Sequence, residues 1–278
     1  MALQTALQEK EVRMVDKIAW FDDRFYELSV NGEQVFVPSV TTILNVYPKP
    51  ELSRWRGDVG NDVADQRMWI AAERGTRIHK AGEMLSKGAV VVLDGTLSYD
   101  DLEALRNDNT VITLPNQEEF FNTLKIKQLL DVLQPEILLS EQIVYNVDKG
   151  YAGTLDWVWG IKEGEYLING AKPVKLESGN YIVDLKTGKH VGDEAYMQLA
   201  AYAECPKIKE MDIIGGIIVH TTSENKKGIE GLSCKLKTRD ELDLAYQNFE
   251  KILAVYEIAP HSKPKIFTMP KIISWDKN

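Results

Sequence analysis

Between Val12 and Val37 apolar and polar residues alternate with the two-residue period of half-buried strands, and Asn31-Gly32 interrupts the alternation. That pair predicts a hairpin, because a type I′ turn needs positive φ at both central positions. Pro38 ends the pattern, and Ser39 ahead of VTTIL reads as a helix N-cap. NVYPKPELSRWRG then reads as a Pro-rich linker, with Lys49, Arg54, Trp55 and Arg56 interleaved as cations beside an aromatic ring. From about Asp58 to Lys87 the spacing is helical, with a break expected at Gly75-Thr76. Thr76 would cap the new start and put His79 about one turn in.

Residues 94 to 109 are acidic and weakly patterned, and read as a solvated insertion. Pro115 opens a helix whose Phe120, Leu124, Leu129 and Leu133 are expected on the core side, and Pro135 closes it. EILLSEQIVYNV and GTLDWVWG read as an antiparallel pair turning near Gly150, with Asp156 inside the second strand. If the turn lies there, Val144 faces Asp156, and Glu141 points to the other side of the sheet in a structural role. GEYLINGAKPVKLESGN reads as a further polar hairpin. YIVDLK is a strand that ends at Thr187-Gly188-Lys189, and a helix follows from about Glu194 to Ala203. IIGGIIVH is a continuous apolar run of the kind found in buried strands. Residues 238 to 257 form an amphipathic helix with Leu242, Ala245, Phe249, Leu253 and Tyr256 on one side. The opening residues read as a short helix or a loose arm, and the tail from Ala259 as a surface wrap. Strands interleaved with helices predict an α/β fold. The expectation is one domain: a hairpin region over 1–37, a helical region over 38–135, a core over 136–258 and the tail over 259–278.

Composition narrows the functional classes. No run of about 18 apolar residues is present, so no membrane span is expected. The first residues lack the basic start and apolar run of a secretory signal, which leads to a cytoplasmic expectation. Cys205 and Cys234 lack paired spacing, which argues against a zinc ribbon or an iron–sulfur cluster. A formal charge of -9 opposes a nucleic-acid partner. Net charge is an average, however, and a chain that collects carboxylates for divalent cations can still line one groove with cations.

Asp184 and Lys186 sit two apart in a strand, so a carboxylate and an ammonium leave its end on the same face. Alone, such a pair is usually a solvated ion pair. Gln198 and Tyr202, four apart, share a face of the following helix. Asp156 lies between Leu155 and Trp157, where an unpaired carboxylate is costly. A lone histidine on a helix is usually filler, but His79 has Arg74, Arg77 and Lys80 nearby. That basic turn makes Arg74 and Thr76 candidate phosphate contacts. Phosphodiester hydrolysis needs a hydroxide near neutral pH and neutralised phosphoryl oxygens, both of which a divalent cation supplies. Two carboxylates from neighbouring strands suit Mg²⁺, and an imidazole tilts the preference toward Mn²⁺.

In order and spacing PSVTTIL, GTRIH, GTLD, VDLKTGK and QLAAY resemble the PD-(D/E)XK nuclease superfamily, particularly its RecB-like branch and the phage and mitochondrial genome-maintenance exonucleases. The match covers most of residues 37 to 203. The resemblance implies a restriction-endonuclease-like core, a central mixed sheet flanked by helices. It implies that His79, Asp156, Asp184 and the Leu185 carbonyl bind Mg²⁺ or Mn²⁺, that Lys186 is catalytic, and that Gln198 and Tyr202 support the site and contact nucleic acid. Some relatives carry a cysteine-bound iron–sulfur cluster, for which this chain lacks the cysteines, and helicase motifs are absent too. The expected activity is therefore a stand-alone, metal-dependent DNA exonuclease of viral or bacterial DNA processing. Its partners would be single- or double-stranded DNA, with a homo-oligomer or a recombination or replication protein also compatible. A structure- or site-specific endonuclease, or a non-catalytic binding module of the same fold, are the alternatives.

Overall fold

The computed structural model describes residues 11–20, 23–169, 172–226, 229–259 and 264. The expected N-terminal arm and most of the expected tail lie outside them. Three strands open the chain, β1 (Val12–Trp20), β2 (Asp23–Val30) and β3 (Glu33–Pro38), paired in that order as an antiparallel meander. Asn31 and Gly32 have φ of 52° and 86°, so the hairpin between β2 and β3 turns as the Asn-Gly pair predicts. Ser39 caps α1 (Val40–Ile43), its hydroxyl accepting the Thr42 N–H. The meander rests on the central sheet through Tyr26, Leu28, Val37 and Ala152.

The central sheet has five strands: β6 (Glu136–Asn146), β7 (Tyr151–Ile161), β10 (Gly179–Lys186), β11 (Ile213–His220) and β12 (Ser233–Thr238). Their order is β12-β11-β10-β7-β6. β10 and β11 run parallel and the other pairs antiparallel. The parallel pair needs a crossover, supplied by α6 (Asp193–Ala203) and the short α7 (Pro206–Lys209). Tyr181 to Leu185 are all buried, as a central strand covered on both faces requires. On one face Ile182, Val158 and Ile218 pack with α6 and with α8 (Arg239–Ile258), which contributes Leu242, Phe249, Leu253 and Tyr256. A capping box between Thr238 and Glu241 starts α8. On the other face Trp157, Trp159, Val183 and Leu185 meet Ile78 of α3 (Asn61–Ser86) and Ile126, Leu129 and Leu133 of α5 (Gln117–Leu133). The fold is mixed α/β, with a central mixed sheet flanked by helices and an N-terminal antiparallel sheet. Small pairs decorate it: parallel β4 (Val90–Leu93) and β5 (Val111–Leu114), and the hairpin of β8 (Gly164–Tyr166) and β9 (Val174–Leu176).

Five sequence expectations need correction. The linker contains a helix, α2 (Pro50–Val59), started by Pro50 at its first position. α3 runs unbroken through Gly75, and the break falls instead at Gly60, with φ 84°. Thr76 therefore caps nothing: its hydroxyl donates to the Ala72 carbonyl one turn back. The acidic 94–109 segment folds in part as α4 (Tyr99–Asp108), capped by Ser98. Leu124 is exposed, because the buried stripe of α5 runs through Glu119, Thr123, Ile126, Leu129 and Leu133. In the β6–β7 pair Ser140 faces Trp157, Gln142 faces Leu155 and Val144 faces Gly153, which places Glu141, and not Val144, across from Asp156.

Candidate functional site

β7 and β10 pair as far as Val183 opposite Trp157. Beyond that point the Leu185 N–H donates to Asp156 Oδ2 at 2.6 Å, a side chain taking the place of a strand carbonyl. The fork leaves Asp156, midway along β7, beside the last residues of β10, where Asp184 stands, and both are buried. Lys186, on the same face as Asp184, lies 2.8 Å from Asp184 Oδ2 and donates to Oδ1 at 3.1 Å. It also donates to Gln198 Oε1 at 2.9 Å, and Gln198 Nε2 donates to the Tyr202 hydroxyl at 3.3 Å. Helical spacing in α6 thus delivers the pair that orients the lysine.

The motifs interlock through glycines. A Cβ on Gly153 would stand 2.2 Å from the Tyr202 ring, so the ring lies directly on the β7 backbone just before Asp156. On Gly75 a Cβ would stand 3.1 Å from Thr187 Oγ1, which brings α3 against the turn after Lys186. One helical turn further on, His79 reaches Asp156, Nδ1 to Oδ1 at 3.3 Å.

Glu141, assigned a structural role on sequence grounds, joins this group. Its φ is 49°, in the left-handed region that costs a non-glycine residue about 1–3 kcal/mol. A strand distorted in this way re-aims a side chain, as bulges beside active sites do. Ligand atoms of His79, Glu141 and Asp156 all lie within 4.8 Å of one another. One nitrogen and two carboxylates suit Mn²⁺ or Mg²⁺. Asp184 stands outside that triad, with both carboxylate oxygens turned toward the Lys186 ammonium. The donors present fit a divalent cation. For Leu185 the structure shows the amide engaged, through Asp156.

Burial and mutual charge set the protonation states. Burial pushes the Asp184 carboxyl up, and against the pull of Lys186 and with the push of Asp156 it reaches about 6. Burial would also raise Asp156, yet the charge and hydrogen bond of His79 and the Leu185 N–H hold it below the usual carboxylate range. Burial works against the charged forms of His79 and Lys186, but the facing carboxylates win and raise both. Glu141 is raised by burial and then by Asp156. A site whose carboxylates are pushed apart in this way is a functional candidate.

The cleft over these groups has a volume of about 670 Å³ and is lined by His79, Glu141, Asp156, Gln198 and Tyr202, with Thr76, Thr187, Lys17 and Arg24 around them. Lys17 and Arg24 come from the N-terminal meander, whose sequence gave no functional signal. The basic turn of α3 is largely neutralised. Arg74 pairs with Glu118 at 2.6 Å, Arg77 makes two 2.8 Å hydrogen bonds to Glu119, and Lys80 pairs with Glu83 at 2.8 Å. Arg74 thus ties α3 to α5 and does not line the cleft, whereas Thr76 does. His220 was also missed. Its Nε2 lies 2.8 Å from the Gly188 carbonyl, which Thr222 also contacts, and the Thr221 N–H donates to the Lys186 carbonyl at 3.1 Å. The end of β11 therefore fixes the turn carrying the lysine. Parallel pairing of Lys186 with His220 is the signal, legible only once the register is known.

The chain matches no protein-family model and no curated protein, so a functional reading stands on this geometry and on the motifs. Among the described residues no helix is long and apolar enough to cross a membrane.

Proposed function

We propose that this chain is a divalent-cation-dependent nuclease that hydrolyses phosphodiester bonds in DNA, acting as an exonuclease. The observation that carries the reading is the fork between β7 and β10, where Asp184 and Lys186 meet Asp156, which with His79 and Glu141 lines one cleft. A structural ion pair accounts for Asp184 and Lys186 alone. It does not account for a histidine and two further carboxylates gathered from α3, β6 and β7, one of them on strained backbone.

His79, Glu141 and Asp156 would hold the cation, with Asp184 as a further carboxylate at the same fork. When bound, Mg²⁺ or Mn²⁺ lowers the pKa of water and neutralises phosphoryl oxygens. Lys186 has its pKa raised and is therefore protonated at neutral pH, so its part is to donate to a phosphoryl oxygen and offset charge that builds there. Gln198 aims that ammonium, and Tyr202, seated on Gly153, aims Gln198. Asp156 holds the Leu185 N–H and keeps the fork open.

The test is digestion of end-labelled single- and double-stranded DNA with Mg²⁺ or Mn²⁺. Lys186→Ala is expected to abolish cleavage while Mn²⁺ still binds, and Asp184→Ala to lose both. Cleavage retained in Asp184→Ala overturns the assignment. Closed circular DNA distinguishes the modes, since an exonuclease leaves it intact and an endonuclease opens it. DNA binding without turnover on adding Mn²⁺ would point to a non-catalytic module.

A further inference from the structure

Lys186 lines a second space, from which His79 is absent. A chamber of about 190 Å³ is bounded by Thr41, Lys49, Lys186, His190 and Gln198. It shares Thr41 and Gln198 with the cleft, and Lys49 and His190 with a larger hollow of about 1080 Å³. Tyr47, Pro48, Pro50, Leu52 and Trp55 give that hollow its apolar wall. The three spaces adjoin through these shared walls, and Lys186 lines the middle one.

The charges along the hollow restrict what fits. Lys49 and Lys189 offer cations and His190 an imidazole, but Asp193 and Glu194 line it as well, so a run of phosphates would meet as many anions as cations. Arg54 and Arg56, neighbours of Trp55 in sequence, are taken up by Glu51 and Asp65. A neutral, flat, aromatic group beside a single phosphate suits this wall. Stacking on an indole is how single-stranded nucleic acid gains affinity without sequence preference.

We propose that the hollow formed by Tyr47, Pro48, Pro50 and Trp55 is a nucleobase subsite, which seats the base of the nucleoside on the far side of the phosphate held at Lys186. The proposal rests on the nuclease reading for its orientation, since a phosphodiester at Lys186 carries one nucleoside toward the cleft and the other toward this hollow. Trp55 supplies the stacking face. Tyr47 and the two prolines close the edge, and Lys49 meets the adjoining phosphate. The mixed charge confines the strand to one or two nucleotides here, as suits a terminus and not a long tract.

The experiment measures binding of a fluorescein-labelled twelve-residue thymidine strand, and of the same strand made entirely of abasic sugar, to the full chain in chelator. Cleavage of the thymidine strand with Mn²⁺ is measured in parallel. In the unmodified chain the thymidine strand is expected to bind about tenfold more tightly than the abasic one. Trp55→Ala should erase that difference and raise KM for cleavage by a similar factor, and Trp55→Phe should restore both. Trp69→Ala, which removes an indole exposed elsewhere on α3, should leave both unchanged. Equal binding of the two strands by the unmodified chain overturns the subsite, whatever the variants do. So does unaltered KM in Trp55→Ala, or self-association that Trp55→Ala abolishes and oligonucleotide does not compete. Base-dependent binding through Trp55 with no turnover in Mn²⁺ would keep the subsite and sink the nuclease reading. Turnover indifferent to Trp55 would do the reverse.

Discussion

Asp184 carries the clearest pH consequence. Its folded-state pKa of about 6 lies above the ordinary value of 3.8, so between those values the native chain binds more protons than the unfolded one. In chelator, this group's contribution to stability is therefore fully present below about pH 4 and lost as pH rises through about 6. Asp184→Asn should flatten that part of the stability profile, followed by urea denaturation at a series of pH values. A proton on the same carboxyl competes with a cation, so Mn²⁺ binding measured by calorimetry should weaken below about pH 6. Glu141 is tested separately. Glu141→Gln keeps the shape and removes the charge, and should weaken Mn²⁺ binding by about tenfold or more with little change in folding. Unchanged affinity would return Glu141 to the structural role that its sequence position predicts. That role was the natural reading, because a hairpin that pairs Val144 with Asp156 puts Glu141 on the other face. The observed register, with Ser140 facing Trp157 and Gln142 facing Leu155, brings Glu141 across from Asp156, and the residues between the strands do not announce that offset.

The elements meet through small residues, and there the costs of substitution concentrate. Gly153→Ala forces a methyl into the Tyr202 ring, a strain of about 1–3 kcal/mol if the ring yields. Because Tyr202 aims Gln198 and Gln198 aims Lys186, cleavage should fall further than stability does. Tyr202→Phe, which keeps the buried ring and removes only the hydroxyl that meets Gln198, should likewise lower kcat more than it lowers the denaturation midpoint. Gly82 in α3 is a second close approach, a Cβ there standing 3.1 Å from Ile126 and 3.3 Å from Trp157. These contacts also explain a misreading. Glycine costs a helix about 1 kcal/mol against alanine, so Gly75 looks like a boundary in the sequence. α3 continues through it because the missing Cβ admits Thr187 and sets His79 over Asp156. Elements whose signal is periodic, such as the strand of Asp184, the helix of Gln198 and α8, were legible at once. Pro50 was legible as a breaker, though here it starts a helix and does not merely interrupt one.

Over the whole molecule a charge of -9 sets the terms for a nucleic-acid partner. The cleft has Lys17 and Arg24 at its rim and several carboxylates at its base, so without a cation the base repels phosphate. DNA binding followed by fluorescence anisotropy should thus strengthen on adding Ca²⁺ or Mn²⁺ and weaken with added KCl. A divalent cation that weakens binding as KCl does would mean that the carboxylates are not at the phosphate. The sequence by itself determined the α/β class, the two aspartates, the lysine and the Gln-Tyr pair, because strand and helix periods dictate which neighbouring side chains share a face. Tertiary structure alone decided that Glu141 joins His79, that Arg74 is spent on Glu118, and that the hollow of Trp55 shares Lys49 and His190 with the chamber of Lys186. Each of those depends on how distant segments pack, on one strained residue, and on which opposite charge lies within reach, and no local period encodes any of the three.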